Sequence, residues 1–165
     1  MKLLESAPLQ RGAAGVELGR MLAPDEYRTE ESVAFKMNMV RLLLGAEIDR
    51  KLAASKLSAI QWGILKALFD ERARTPTALC RILLADGSIM TRKLDSLEKR
   101  GLIERIRSTS DRRSVELALT ANGRQLLRET LPLIVETSNR QLRGFAVDEV
   151  ETVRNLLDRM IANLS

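Results

Sequence analysis

Between Asp86 and Arg113 the chain carries eight basic side chains, Arg92, Lys93, Lys99, Arg100, Arg105, Arg107, Arg112 and Arg113, against five acidic ones, Asp86, Asp95, Glu98, Glu104 and Asp111. Guanidinium groups can bond the O6 and N7 edge of guanine in bidentate fashion, and hydroxyls such as those of Ser88, Thr91 and Ser96 bond bases or phosphates. The chemistry on offer is recognition of a polyanion. Bond-breaking chemistry has little to work with. Histidine is absent and Cys80 is the sole cysteine, which removes the commonest general base, the ordinary zinc sites, any Ser-His-Asp or Cys-His arrangement and any intramolecular disulfide. An enzyme would have to rest on carboxylates alone, and no motif gathers them into a cleft. The sequence therefore predicts neither enzyme activity, nor a metal, nor a cofactor.

The net charge of +5 over 165 residues points weakly toward a polyanionic partner; the position of the charges says more. A chain with a single thiol fits a reducing cytosol. Its start meets Pro8 and Gly12 before a long apolar run can form, and no later segment reaches the ~20 apolar residues of a membrane span. The expectation is a cytoplasmic protein that does not associate with membranes.

The elements that must hold these side chains follow from periodicity. Residues 103–107 and 115–119 alternate apolar and polar as half-buried strands do, and Ser108, Thr109, Ser110 and Asp111 make the turn between them. Before this ribbon, a helix from Asp86 to Arg100 stops at Gly101. It turns Met90, Leu94 and Leu97 to one side. Ser88, Arg92 and Lys99 lie opposite, flanked by Thr91, Lys93, Asp95, Ser96 and Arg100. Thr75 with Pro76 opens the preceding helix, and the turn Ala85-Asp86-Gly87 joins the two. Two helices with a turn, followed at once by a basic ribbon, form a helix-turn-helix with a wing. In this arrangement the second helix enters a major groove and the ribbon arginines reach an adjacent minor groove. Asp111 stands close enough to Arg113 in sequence to orient it.

Upstream, Ser58 and Gln61 form a capping box that starts a helix running to about Asp70. From about Glu31 to Leu52 a long helix carries two apolar faces, Val33, Met37, Val40, Leu44, Ile48 and Leu52 against Phe35, Met39, Leu42 and Ala46. Two faces need two partners, and a second subunit is one of them or the helix is central in a monomer. Thr120 caps a long helix whose Pro132 should kink it or thin its hydrogen-bond ladder. A last helix from about Asp148 spaces Val150, Val153, Leu157, Met160 and Leu164 almost as a heptad seam.

These motifs together resemble the MarR family of transcriptional regulators. The family's wing pattern is met by Asp111, Arg113, Leu119 and Thr120. Its helix-to-wing run is met by Thr91, Arg92, Leu94, Leu97, Glu98, Gly101, Leu102, Ile103 and Arg105, and its helix opening by Leu57, Ser58, Gln61, Trp62 and Leu65. The resemblance implies a mainly α fold with a small β-ribbon, a winged helix-turn-helix domain plus N- and C-terminal dimerisation helices. The corresponding division is an arm at residues 1–30, dimerisation helices at 31–56 and 120–165, and the winged helix-turn-helix at 57–119. It also implies a homodimer that binds pseudo-palindromic double-stranded DNA, as a repressor released by a small effector, aromatic and anionic in many relatives.

Carried over by motif, Thr91 and Arg92 belong to the recognition helix, Arg113 to the minor groove and Asp111 to its orientation. The helical pattern adds Ser88, Lys93, Ser96 and Lys99, and charge adds Arg107 and Arg112 as phosphate contacts. For the effector the candidates are Met37, Arg41 and Trp62, an arginine beside apolar side chains being able to hold a carboxylate. Arg41 in a surface or dimer ion pair is the competing account. Two other functions stay open at this level, a winged-helix protein-interaction module and a redox-responsive regulator acting through Cys80. For Cys80 a buried packing thiol is the simpler account.

Overall fold

The computed structural model describes residues 27–107 and 115–165, with the side chain of Arg107 outside that description. Two units are distinguished, Met1–Asn38 and Met39–Ser165. In the first, Thr29–Glu31 form a 3-10 turn. Ser32 follows it, accepting from the Phe35 amide at 3.2 Å and donating to the Thr29 carbonyl at 2.8 Å, so its hydroxyl serves as the cap that starts α1 (Val33–Leu52).

In the second unit four helices begin on a residue, Ser58, Thr75, Asp86 or Thr120, whose side chain accepts from an orphan amide of the first turn. α2 (Ala59–Phe69) opens on the predicted capping box. The Gln61 side chain accepts from the Ser58 amide at 3.0 Å, and Asp49 takes the Ala59 amide at 2.6 Å. α3 (Pro76–Leu83) is capped by Thr75 with Pro76 at its first position, and α4 (Gly87–Lys99) by Asp86. α4 closes in a Schellman motif: Gly101, at φ +65, donates to Glu98 and Leu102 donates to Leu97. α3 ends without a glycine. Its stop is Leu84, left-handed at φ 48 and ψ 44, a conformation that glycine adopts without a Cβ penalty.

β1 (Ile103–Arg107) and β2 (Val115–Leu119) pair antiparallel, with Ile103 opposite Leu119 and Arg107 opposite Val115. Alternation sends Ile103, Leu117 and Leu119 into the core. A further backbone bond, from the Leu117 amide to the Arg74 carbonyl at 2.7 Å, fastens the ribbon to the α2–α3 connection. The core lies among α2, α3, α4, the ribbon and the start of α5, with Leu52, Ile64, Leu65, Leu79, Met90, Leu94 and Leu97 almost wholly buried. This is the expected class, mainly helical with one small ribbon.

α5 (Ala121–Gln141) is continuous through Pro132, and Thr120 caps it by accepting from the Gly123 amide at 3.1 Å. α6 (Val147–Leu164) starts where the Glu149 carboxylate accepts from the Ala146 amide at 2.8 Å. None of its residues is buried. Among the described residues no helix is long and apolar enough to cross a membrane.

Candidate nucleic-acid interface

The outward face of α4 is set by what its inward face buries. Met90, Leu94 and Leu97 lie in the core, so the predicted site residues Ser88, Thr91, Arg92, Ser96 and Lys99 are left exposed together with Asp95, while Lys93 is half-buried on a flank. The Thr91 hydroxyl donates to the Gly87 carbonyl at 2.9 Å and Arg92 Nε reaches the Ser88 carbonyl at 3.4 Å. Both side chains thus fold back toward the helix start. Asp86 accepts from the Ser88 amide at 2.7 Å. The Ser88 side chain, followed by the backbone amides of Ser88 and Ile89, holds the Asp86 carboxyl below its ordinary pKa.

Three long-range contacts hold α4 against its surroundings, and local sequence patterns do not disclose them. Buried Gln61 uses its side-chain amide nitrogen to donate to Ser96 Oγ at 3.2 Å. Arg100 donates to the carbonyls of Lys56 and Ser55 at 2.7 and 2.8 Å, closing the α1–α2 connection onto the end of α4. Arg105 of β1 reaches Asp95 at 2.7 Å and Glu98 at 2.5 Å. The hydrogen bond to Asp95 is the main reason that the Arg105 guanidinium sits above its ordinary pKa. Arg100 and Arg105 are committed to the protein, whereas Arg92 and Lys99 stand on the exposed face.

The wing's tip carries the remaining predicted contacts. Asp111, Arg112 and Arg113 lie outside the described residues, as does the side chain of Arg107. The strands that would carry them are in register up to the pair Arg107 and Val115.

The three effector candidates fall in different settings. Met37 is exposed on α1 in the first unit, and Arg41 is exposed on α1 in the second. Trp62 is half-buried and packs on the core, with its indole Nε1 donating to Thr130 Oγ1 at 3.1 Å. A cleft of about 210 Å³ between α1 and α5 is lined by other residues, Val40, Leu43, Leu44, Glu47, Thr137, Arg140 and Gln141. At its edge Glu47 takes Arg50 at 2.6 Å and Arg140 at 3.0 Å; the Arg50 hydrogen bond leads in lowering the Glu47 pKa. Cys80 is half-buried against the core on α3. Among the described residues no cluster of three or more metal-ligating side chains occurs.

The family model described as the MarR family matches residues 57–115. The HTH-type transcriptional regulator PecS of Dickeya dadantii (strain 3937) is 31% identical over 131 residues, covering 78% of this chain and 79% of that protein. A mutant of Escherichia coli MarR, solved in complex with operator DNA, is similar with a TM-score of 0.71 at 25% identity, covering 78% of this chain and 92% of that one. BpsR of Bordetella bronchiseptica, solved to explain how 6-hydroxynicotinic acid regulates its DNA binding, gives a TM-score of 0.74 at 25% identity, covering 81% and 96%.

Proposed function

The chain belongs to the MarR family of transcriptional regulators, and from that premise we propose that it is a homodimeric repressor of a pseudo-palindromic operator, released by a small anionic effector. It is a transcriptional regulator and not an enzyme. The observation that carries the DNA reading is the outward face of α4. Ser88, Thr91, Arg92 and Lys99 are exposed on a helix whose opposite side is locked in the core, and a paired ribbon follows within four residues of its end. In the proposed complex α4 lies in the major groove, Arg113 enters the neighbouring minor groove with Asp111 orienting it, and Arg107 and Arg112 meet phosphates. Lys93 and Ser96 are peripheral members of the same surface.

The operator complex of the E. coli relative supports this docking. The effector part draws on BpsR, whose DNA binding is regulated by an aromatic carboxylate. In this chain Arg41 is the proposed partner of such a carboxylate. Dimerisation draws on α6, which has an apolar stripe and no buried residue.

The test is a binding titration of the full-length chain against the palindromic sequences beside its own gene. Specific duplex should be preferred over random duplex by about 10³-fold or more, with affinity falling steeply as salt rises because each neutralised phosphate releases counterions. Arg113→Ala should cost about 1–3 kcal/mol of operator binding. Unchanged affinity in that variant removes the wing from the interface, and failure to prefer any duplex at any salt leaves a protein-interaction module instead.

A further inference from the structure

The exposed face of α4 carries two carboxylates among its cations. Asp95 stands seven residues after Ser88 and three after Arg92, on the side of the helix turned away from Met90 and Leu94. Glu98 follows one turn later at its edge. A carboxylate beside DNA phosphates repels them, so both acids oppose the binding that the rest of this face favours. Arg105 answers both at once. It sits two residues beyond buried Ile103 on β1, hence on the same side of the ribbon, and its fork gives one nitrogen to each acid, Nη2 to Asp95 at 2.7 Å and Nη1 to Glu98 at 2.5 Å. Lysine, a point charge, lacks the rigid fork that spans two acceptors in this way. Asp95 and Glu98 remain 56% and 37% exposed, so the pairs are surface pairs and contribute little to folding.

We propose that Arg105 is a positioning residue for DNA binding, which holds the carboxylates of Asp95 and Glu98 off the phosphates and cancels much of their charge. The proposal rests on the DNA reading of α4. It separates Arg105 from the basic residues that touch DNA: Arg105 acts through the two acids, and its removal matters only while they are charged.

The experiment measures operator affinity of the full-length chain by fluorescence anisotropy at about 50 mM salt, where screening is weak. Arg105→Gln should weaken binding about tenfold, the scale set by two carboxylates about 6 Å from a phosphate in water. The double variant Asp95→Asn with Glu98→Gln should bind at least as tightly as the parent. Adding Arg105→Gln to that double variant should then change affinity by less than about threefold, because the charges that Arg105 offsets are gone. An Arg105→Gln chain that binds as the parent does, or a triple variant that stays as weak as Arg105→Gln alone, overturns the proposal, the latter making Arg105 a phosphate contact or a structural support. If Arg105→Gln fails to fold by circular dichroism, the double variant decides: weaker binding than the parent overturns the proposal. A parent chain that binds no duplex overturns the DNA reading itself and this proposal with it.

Discussion

A Cβ built on Gly123 would stand 2.0 Å from the carbonyl oxygen of Leu102. The first turn of α5 therefore lies directly on the backbone that leads into β1, and the Thr120 hydroxyl completes the joint by donating to the Gly101 carbonyl at 2.6 Å. Since the obstructing atom is backbone, it cannot rotate aside. Gly123→Ala should destabilise the protein by about 1–3 kcal/mol despite the better helix propensity of alanine, read as a lower urea midpoint. A variant as stable as the parent would show that α5 can back away from the ribbon at no cost.

Leu84 is 93% exposed and left-handed at φ 48. It makes no use of its apolar side chain in the core, and its Cβ crowds the backbone in that conformation. Leu84→Gly should raise stability by about 0.5–1 kcal/mol, the relief of strain outweighing the added freedom of the unfolded chain. Thermal unfolding reports the sign, and a lower midpoint would mean that leucine here has a packing role.

These two positions also mark where the sequence was readable. Serine, threonine and aspartate caps announce themselves locally, so Ser58, Thr75, Asp86 and Thr120 were legible as helix starts, and the alternation around Ile103 and Leu117 disclosed both strands. The left-handed conformation of Leu84 after α3 was not legible, because that region is signalled by glycine and leucine carries no such signal. The contacts of Arg100 with Ser55 and Lys56, 45 and 44 residues away, were hidden for another reason: a surface arginine has many acceptors, and only the packed fold selects among them. The same holds for Trp62, whose indole N–H goes to Thr130, 68 residues away. Of the candidate site, the α4 face was readable from helical spacing, while the restraints that hold it in place were not.

The Asp86 cap gives a pH dependence of definite sign. Its folded pKa is lowered, chiefly by Ser88, so the ionised form is favoured in the folded state. The stability it contributes is present above the unfolded pKa, near about 4, and is lost as pH falls through that value toward the folded one. Glu47 and Glu136 are lowered as well, so the whole protein should weaken in acid. The diagnostic quantity is the stability difference between the parent and Asp86→Ala: it should be positive at neutral pH and shrink steadily below about pH 4. A difference that stays constant into acid would assign the cap's effect to something other than its charge.

The apolar stripe of α6 leads to the last expectation. Val153, Leu156 and Ile161 are 43%, 42% and 60% exposed, on a helix with no buried residue at all. In the same unit Val40 and Leu43 of α1 are 47% and 65% exposed. In the proposed dimer this apolar surface on two helices is what the second subunit covers, and the near-heptad spacing of Val150, Val153, Leu157 and Met160 suits a partner helix. Deleting residues 148–165 removes no member of the buried core, so the shortened chain should still unfold cooperatively but sediment as a monomer. Its affinity for a complete palindrome should drop toward that for a half-site, since the second recognition helix no longer arrives with the first. A truncated chain that remains a dimer would move the interface away from α6, and one that is monomeric yet binds the palindrome undiminished would separate dimerisation from operator recognition.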